Sequence, residues 1–151
     1  MLDYRTIPAR DLGKGSHIGL ELCETEVDLY WKIAMEVAER IEENNEKGEE
    51  TVMIVPYGPI GPYARLVYLI NKRRISLKNC YLINMDEYLH DDLRYLDKSD
   101  PLSFRGGMDR VFYSQVAEEL NVPPAQRIFP EPGKEGRILE IIQEHGKLDM
   151  C

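Results

Sequence analysis

Apolar residues recur at helical spacing between residues 25 and 46, and this pattern predicts a long amphipathic helix. Thr25 can cap its amino end, with Asp28 three residues further on as the capping partner. Gly48 follows the last periodic residues and marks the end. We expect the apolar face to be buried, and it consists of Val27, Tyr30, Trp31, Ala34, Val37, Ala38 and Ile41.

Two short runs of apolar residues, 51–55 and 80–84, are typical of buried parallel strands. Pro62 lies between them, where it can serve as the first residue of a helix. A third short strand is predicted at Ile128 and Phe129. Further helices are predicted near 101–120 and over 133–145, and an apolar run begins at Leu148.

Strands that alternate with helices predict an α/β fold with a doubly wound, parallel, Rossmann-like sheet. Residues 1–22 lack this pattern, and we interpret them as an amino-terminal extension. Residues 23–151 are predicted to be the amino-terminal part of one α/β domain. Because the chain ends inside an apolar run, we expect the sheet to be truncated and its apolar edge to favour aggregation.

Composition narrows the function classes. The chain has 151 residues and a formal net charge of −8, which argues against a nucleic-acid partner, since phosphate backbones require clusters of Lys and Arg. Its three widely spaced cysteines predict neither a disulfide framework nor a zinc site. No signal peptide or membrane-spanning run is visible, so the expected location is the cytoplasm, with no membrane partner.

Two loops follow the predicted strands at the edge where ligands bind in parallel sheets. The first, residues 56–61, is rich in Gly and Pro. Its backbone amides and the following helix dipole can favour an anion, although a tight turn that needs glycine explains the same pattern.

The second loop carries Asp86 and Glu87 directly after the strand. Because side chains alternate along an extended chain, the two carboxylates should point in different directions, one into the cleft and the other toward solvent or a helix. A carboxylate in a partly closed cleft can act as a general base, whereas a turn-forming Asp is the structural alternative.

Residues 82–88 read LINMDEY and resemble the motif of glucosamine-6-phosphate deaminases and the related 6-phosphogluconolactonases, with the deaminase form closer. The segment ISLKN at 75–79 is similar to the family as well, as are Ser103-Phe104 and Val122-Pro123. The likeness covers about residues 24–151.

The resemblance implies an amino-sugar-phosphate isomerase and deaminase of carbohydrate metabolism. Asp86 would be the catalytic base that moves a proton between carbons 1 and 2 of the open-chain sugar, and Glu87 would support it structurally. Tyr57, Gly58 and Gly61 would line the phosphate side. The partner would be a small-molecule sugar phosphate, with no metal or organic cofactor, and a homo-oligomer is left open.

Two departures from the family pattern change the expectations. The loop at 56–62 reads PYGPIGP, without the hydroxyl side chains that the family uses for phosphate. The family's Asp-Gly-His loop and following Glu, which open the sugar ring, have no counterpart in these residues. We therefore expect little or no turnover from this chain alone. The alternatives are a sugar-phosphate-binding sensor domain without catalysis and a hydrolase that resembles the lactonases.

Overall fold

Three parallel strands form the sheet. In a computed structural model that describes residues 4–134 and 136–151, they are β1 (Thr51–Val55), β2 (Cys80–Asn84) and β3 (Arg127–Ile128). The order is β1-β2-β3, with Val55 opposite Asn84 and Ile83 opposite Ile128. Both long predicted strands are confirmed, and the third begins one residue earlier than predicted.

The predicted first helix is confirmed as α1 (Glu26–Lys47). The Thr25 hydroxyl accepts a hydrogen bond from the backbone N–H of Asp28 at 3.2 Å. Gly48 ends the helix at a φ of 70°, a left-handed conformation that glycine adopts readily. Capping at both ends therefore explains its bounds.

The buried face of α1 is narrower than predicted. Ala34, Ala38 and Ile41 are buried, whereas Val27 and Trp31 are exposed. Trp31 instead packs edge-on against the exposed ring of Tyr68, with ring centroids 6.1 Å apart. The first turns of α1 therefore face solvent rather than the core, and Trp31 forms an aromatic pair with Tyr68 at the surface.

Helix α2 (Gly61–Arg73) follows β1, and it begins one residue before the predicted start at Pro62. Its core-facing residues Tyr63, Leu66 and Ile70 are buried, as expected from their spacing. The loop that joins β1 to this helix is therefore short, which keeps residues 56–60 at the edge of the sheet.

The predicted helix near 101–120 is wrong in extent. The chain forms α3 (Phe104–Met108), continues as a single π turn (Asp109–Tyr113) and leaves the helix at Ser114. The hydroxyl of Ser103 accepts a hydrogen bond from the backbone N–H of Gly106 at 3.2 Å and so caps the start. This cap, rather than the preceding residues, sets the first turn.

The last helix, α4 (Gly136–His145), is shorter than the predicted 133–145. Gly133 and Lys134 precede it in a turn, and Glu135 lies outside the described residues. Ile141 is buried, whereas Leu139 is 58% exposed. Gly146 follows the helix with a φ of 67°.

Apolar side chains pack on both faces of the sheet. On one face Met53 and Leu82 pack in a core formed with α1, α2 and the helix that follows Ser103. On the other face Val52 and Ile83 pack against Ile141 of α4. Because helices cover both faces, the doubly wound prediction is confirmed.

The apolar run at 148–151 lies beside β1. Met150 forms a parallel bridge with Met53, and the N–H of Ile54 donates to the Met150 carbonyl at 3.0 Å. The carboxylate of Asp149 accepts a hydrogen bond from the N–H of Val52 at 2.9 Å. β1 is therefore flanked on both sides.

In the part of the chain described, no helix is both long and apolar enough to cross a bilayer.

Candidate functional site

The two candidate loops leave adjacent strands at the same edge of the sheet. β1 and β2 are paired along their whole length, and the N–H of Met85 donates to the carbonyl of Val55 at 3.0 Å. This bond lies where the chain leaves both strands. The two loops, residues 56–60 and 85–88, therefore begin next to each other at this edge of the sheet.

Asp86 is exposed at the start of the second loop. Its carboxylate makes no hydrogen bond or ion pair with any residue in 4–134 or 136–151. An exposed, unpaired carboxylate can accept a proton from a ligand without breaking a protein contact first. The Asp86 carboxylate is therefore accessible to a ligand.

Glu87 points the other way, into the protein, and its side chain is only 2% exposed. One carboxylate oxygen accepts from the backbone N–H of Phe104 and the other from that of Arg105, both at 2.7 Å. The carboxylate therefore satisfies two free amides at the start of α3. This agrees with the expectation that the two acids point in different directions.

Arg105 is a residue that the sequence reasoning missed. Its Nε lies 3.5 Å from the Glu87 carboxylate, within ion-pair range but without a hydrogen bond. Its guanidinium also donates to the carbonyl of Leu96 at 2.9 Å and lies over the ring of Tyr95, 3.8 Å from the centroid. Arg105 thus ties α3 to the polar loop that follows Asp86. An Arg one residue after a Ser-Phe helix start was the available signal.

The Gly/Pro loop is held at both ends by α2. The hydroxyl of Tyr63 donates to the carbonyl of Pro56, and burial raises the pKa of that hydroxyl. At the other end, Arg65 donates to the carbonyl of Gly61 at 2.8 Å. The peptide bond between Gly58 and Pro59 is cis. The loop conformation therefore depends on side chains from the helix that it precedes.

The loop offers an anion few backbone donors. Pro59 and Pro62 have no N–H, and the N–H of Tyr63 donates back to Ile60 at 3.1 Å. The remaining amides belong to residues 57, 58, 60 and 61. An anion at this helix end would have to be bound through these, without hydroxyl side chains from Ser or Thr.

Tyr57 links the first loop to α3. Its ring packs on Phe104 with centroids 5.0 Å apart. A Cβ added to Gly107 would lie 2.4 Å from the same ring, so Tyr57 fits closely against this glycine. Both candidate loops therefore rest on one short helix, the first through Tyr57 and the second through Glu87.

An apolar groove of about 370 Å³ lies on the opposite side of β1 from β2. Pro56 and Pro59 of the first loop line it together with Met150 and Cys151, but Asp86 does not. The groove is therefore adjacent to the Gly/Pro loop and separate from the candidate base. Among the described residues, no cluster of His, Cys, Asp and Glu is placed to hold a metal ion.

Comparison with known proteins gives a partial match. No family model matches the chain. A glucosamine-6-phosphate deaminase from Borrelia garinii subsp. bavariensis is 32% identical over 95 residues, which cover 59% of this chain and 34% of that protein.

The chain is similar, over part of its length, to a glucosamine-6-phosphate deaminase. It spans about a third of the length of this relative, 34%. A solved structure of a monomeric glucosamine-6-phosphate deaminase, described as a missing link of the NagB superfamily, superposes with a TM-score of 0.69 at 23% identity. That match covers 87% of this chain and 53% of the other, and it shows the shared α/β fold. Neither comparison tests the roles of Asp86, Glu87, Tyr57, Gly58 and Gly61, which stay predictions.

Proposed function

We propose that this relative of the glucosamine-6-phosphate deaminases takes part in isomerisation and deamination of an amino sugar phosphate, with Asp86 as the general base. The observation that carries the proposal is the contrast between two neighbouring carboxylates. Glu87 is buried and fixed to α3, and Asp86 beside it is exposed and unpaired within the described chain. Such a pair supports one structural and one reactive role.

In the proposed reaction, the aldehyde oxygen of the open-chain amino sugar gains a proton from the ammonium group on carbon 2, and the Asp86 carboxylate takes the proton from carbon 2. It returns that proton to carbon 1, which yields the imine of the ketose. Water then adds to this imine, and ammonia leaves as the ketose phosphate forms. The step needs a carboxylate that is close to an acidic C–H and shielded from competing solvent protons.

The Gly/Pro loop is the proposed contact for the phosphate. Gly58 and Gly61 would present backbone amides at the amino end of α2, where the helix dipole favours an anion. Tyr57 would form the wall toward α3.

The relative's full reaction remains a proposal here because the chain spans only part of that protein. We propose little or no complete turnover by this chain alone. A cytoplasmic location and a homo-oligomer also remain predictions.

The test measures the proton transfer itself, because the resemblance assigns ring opening to an Asp-Gly-His loop and a Glu that have no counterpart in this chain. The protein is incubated with glucosamine 6-phosphate in deuterated water, and deuterium at carbons 1 and 2 is followed by NMR. We expect incorporation above the buffer rate and a decrease of roughly 100-fold or more in Asp86→Asn. Asp91→Asn is the matched control, since Asp91 is another exposed carboxylate of the same loop.

The outcomes separate the candidate functions. Equal incorporation by the wild type and Asp86→Asn would overturn the base assignment. If glucosamine 6-phosphate raises the melting temperature but the wild type incorporates no deuterium, the binding-domain alternative is favoured. If the wild type neither binds nor incorporates, the proposed substrate is wrong.

A further inference from the structure

Asn84 is a buried polar residue at the carboxyl end of β2. It is 0% exposed, yet neither its amide nitrogen nor its oxygen has a hydrogen-bond partner within residues 4–134 and 136–151. A buried amide without partners costs free energy, and such groups are rare in folded proteins. The amide therefore requires an explanation other than stability of the fold.

Other buried asparagines of the chain differ from Asn84. Asn44, 2% exposed, donates to the Thr51 hydroxyl at 2.9 Å and to the Asp149 carboxylate at 3.1 Å. Asn121 donates to the Tyr113 carbonyl and accepts from the N–H of Val122. These two buried asparagines thus have hydrogen-bond partners within the protein, and Asn44 provides a matched comparison for Asn84.

The position of Asn84 connects it to the candidate site. Alternation along β2 places its side chain on the face of Cys80 and Leu82, which is the face that α3 and Tyr57 cover. It lies opposite Val55, the last residue of β1, and two residues before Asp86. Its amide is therefore located beneath the point where both candidate loops begin.

The chemistry of the amide defines its partner. A carboxamide presents an acceptor oxygen next to an NH₂ donor, and a hydroxyl group can donate to the first while it accepts from the second. We propose that the Asn84 amide binds a small hydroxylic group, either a water molecule or a sugar hydroxyl, and so positions the loop 85–88. Asn84 is in this view a positioning residue that acts through Asp86, and only the sugar alternative rests on the proposed function.

The experiment compares Asn84→Leu with Asn44→Leu in the full 151-residue chain. Leucine has nearly the shape of asparagine, so removal of an amide whose proposed partner is a single water or sugar hydroxyl should change the melting temperature only slightly. Removal of the partnered amide of Asn44 should lower it. Hydrogen exchange of the backbone amides of residues 85–88 is then measured in the wild type and Asn84→Leu, each with and without glucosamine 6-phosphate.

We expect exchange at residues 85–88 to be at least tenfold faster in Asn84→Leu than in the wild type. If the difference is present without the sugar, the partner is water, and if it appears only with the sugar, the partner is a substrate hydroxyl. A melting temperature lowered as far as that of Asn44→Leu would overturn the proposal. The proposal would also be overturned if the wild type and Asn84→Leu exchanged at the same rate both with and without the sugar. If the sugar leaves the wild type unchanged, the proposed function fails, while the sugar-free comparison still decides the role of Asn84.

Discussion

Glu87 and Arg105 are joined at two points: the backbone N–H of Arg105 donates to the carboxylate at 2.7 Å, and its guanidinium Nε lies 3.5 Å from the same oxygen. The second oxygen accepts from Phe104. Because the carboxylate is buried, these contacts fix the residue next to the candidate base to the first turn of α3. The loop after β2 therefore owes its course to a contact with a distant segment.

We predict that Glu87→Ala lowers the free energy of unfolding by about 3 kcal/mol, because two helix amides lose their acceptor and a partly buried guanidinium loses the carboxylate beside it. Urea unfolding followed by circular dichroism measures the change. Asp86→Ala is the matched control, and its exposed, unpaired side chain should change stability by less than about 0.5 kcal/mol. Similar losses in both variants would contradict the assigned difference.

Gly107→Ala should destabilise the protein, although alanine usually favours a helix over glycine. The added Cβ would lie 2.4 Å from the Tyr57 ring, and such overpacking typically costs about 1 to 3 kcal/mol. In a Tyr57→Ala background the same substitution should lose its penalty, which a double-mutant cycle detects. Gly136→Ala, with open space around its Cβ position, should be neutral or stabilising. Equal effects at both glycines would contradict the close fit.

Asp149 predicts a dependence of stability on acid. Burial acts to raise the pKa of its carboxyl group, but hydrogen bonds from the N–H of Val52, from Asn44 and from Lys147 outweigh burial and lower that pKa below its usual value. A lowered pKa in the folded state means that the contribution to stability is present above the unfolded value of about 3.9 and is lost as the pH falls through the folded value.

The matching variant is Asp149→Asn, measured by urea unfolding from pH 7 to pH 2. The wild type should be more stable by about 1 to 3 kcal/mol at pH 7, and this advantage should shrink below about pH 4. Because other carboxylates titrate in both proteins, only the difference between the two is informative. An advantage that stays constant down to pH 2 would show that the charge of Asp149 is not responsible.

Cys80 should resist thiol reagents in the folded protein. Burial raises the pKa of its thiol to about 12, and only a hydrogen bond with Thr51 opposes this. At pH 8 an aromatic disulfide reagent should therefore modify Cys151 and, more slowly, the half-buried Cys23, while the third thiol reacts only after denaturation. Cys151→Ser should reduce by one the number of thiols that react in the folded protein. Rapid reaction of Cys80 in the native protein would indicate that β2 opens readily.

β1 and β2 were predictable to the residue because each is a short apolar run bounded by polar or Pro-containing turns, a signal carried by local sequence. The segment after Ser103 was not. Its length depends on Gly106, where a Cβ would lie 1.9 Å from the carbonyl of Lys98, and on contacts of Glu87 and Tyr57 with distant parts of the chain. Residues close in sequence carry no trace of such contacts.

The candidate site was predictable in the same uneven way. Asp86 and Glu87 follow a strand, so alternation alone gave their opposite directions. Arg105 and Tyr63 hold the two loops, but each does so across a packing contact that the sequence pattern does not encode. Asn84 had a local signal, a polar residue at the end of an apolar strand, whereas its lack of partners is a property of the fold.

The bridge between Met53 and Met150 also determines the strand order of the sheet. From β1 the chain progresses outward through β2 and β3, and then returns to pair on the other side of β1. Strand order thus reverses direction at β1, which makes it a topological switch point, the place where crossover helices diverge to opposite faces and leave a crevice at the carboxyl edge. The Gly/Pro loop and the groove beside it lie at this reversal, so the strand topology itself leaves a space next to residues 56–61.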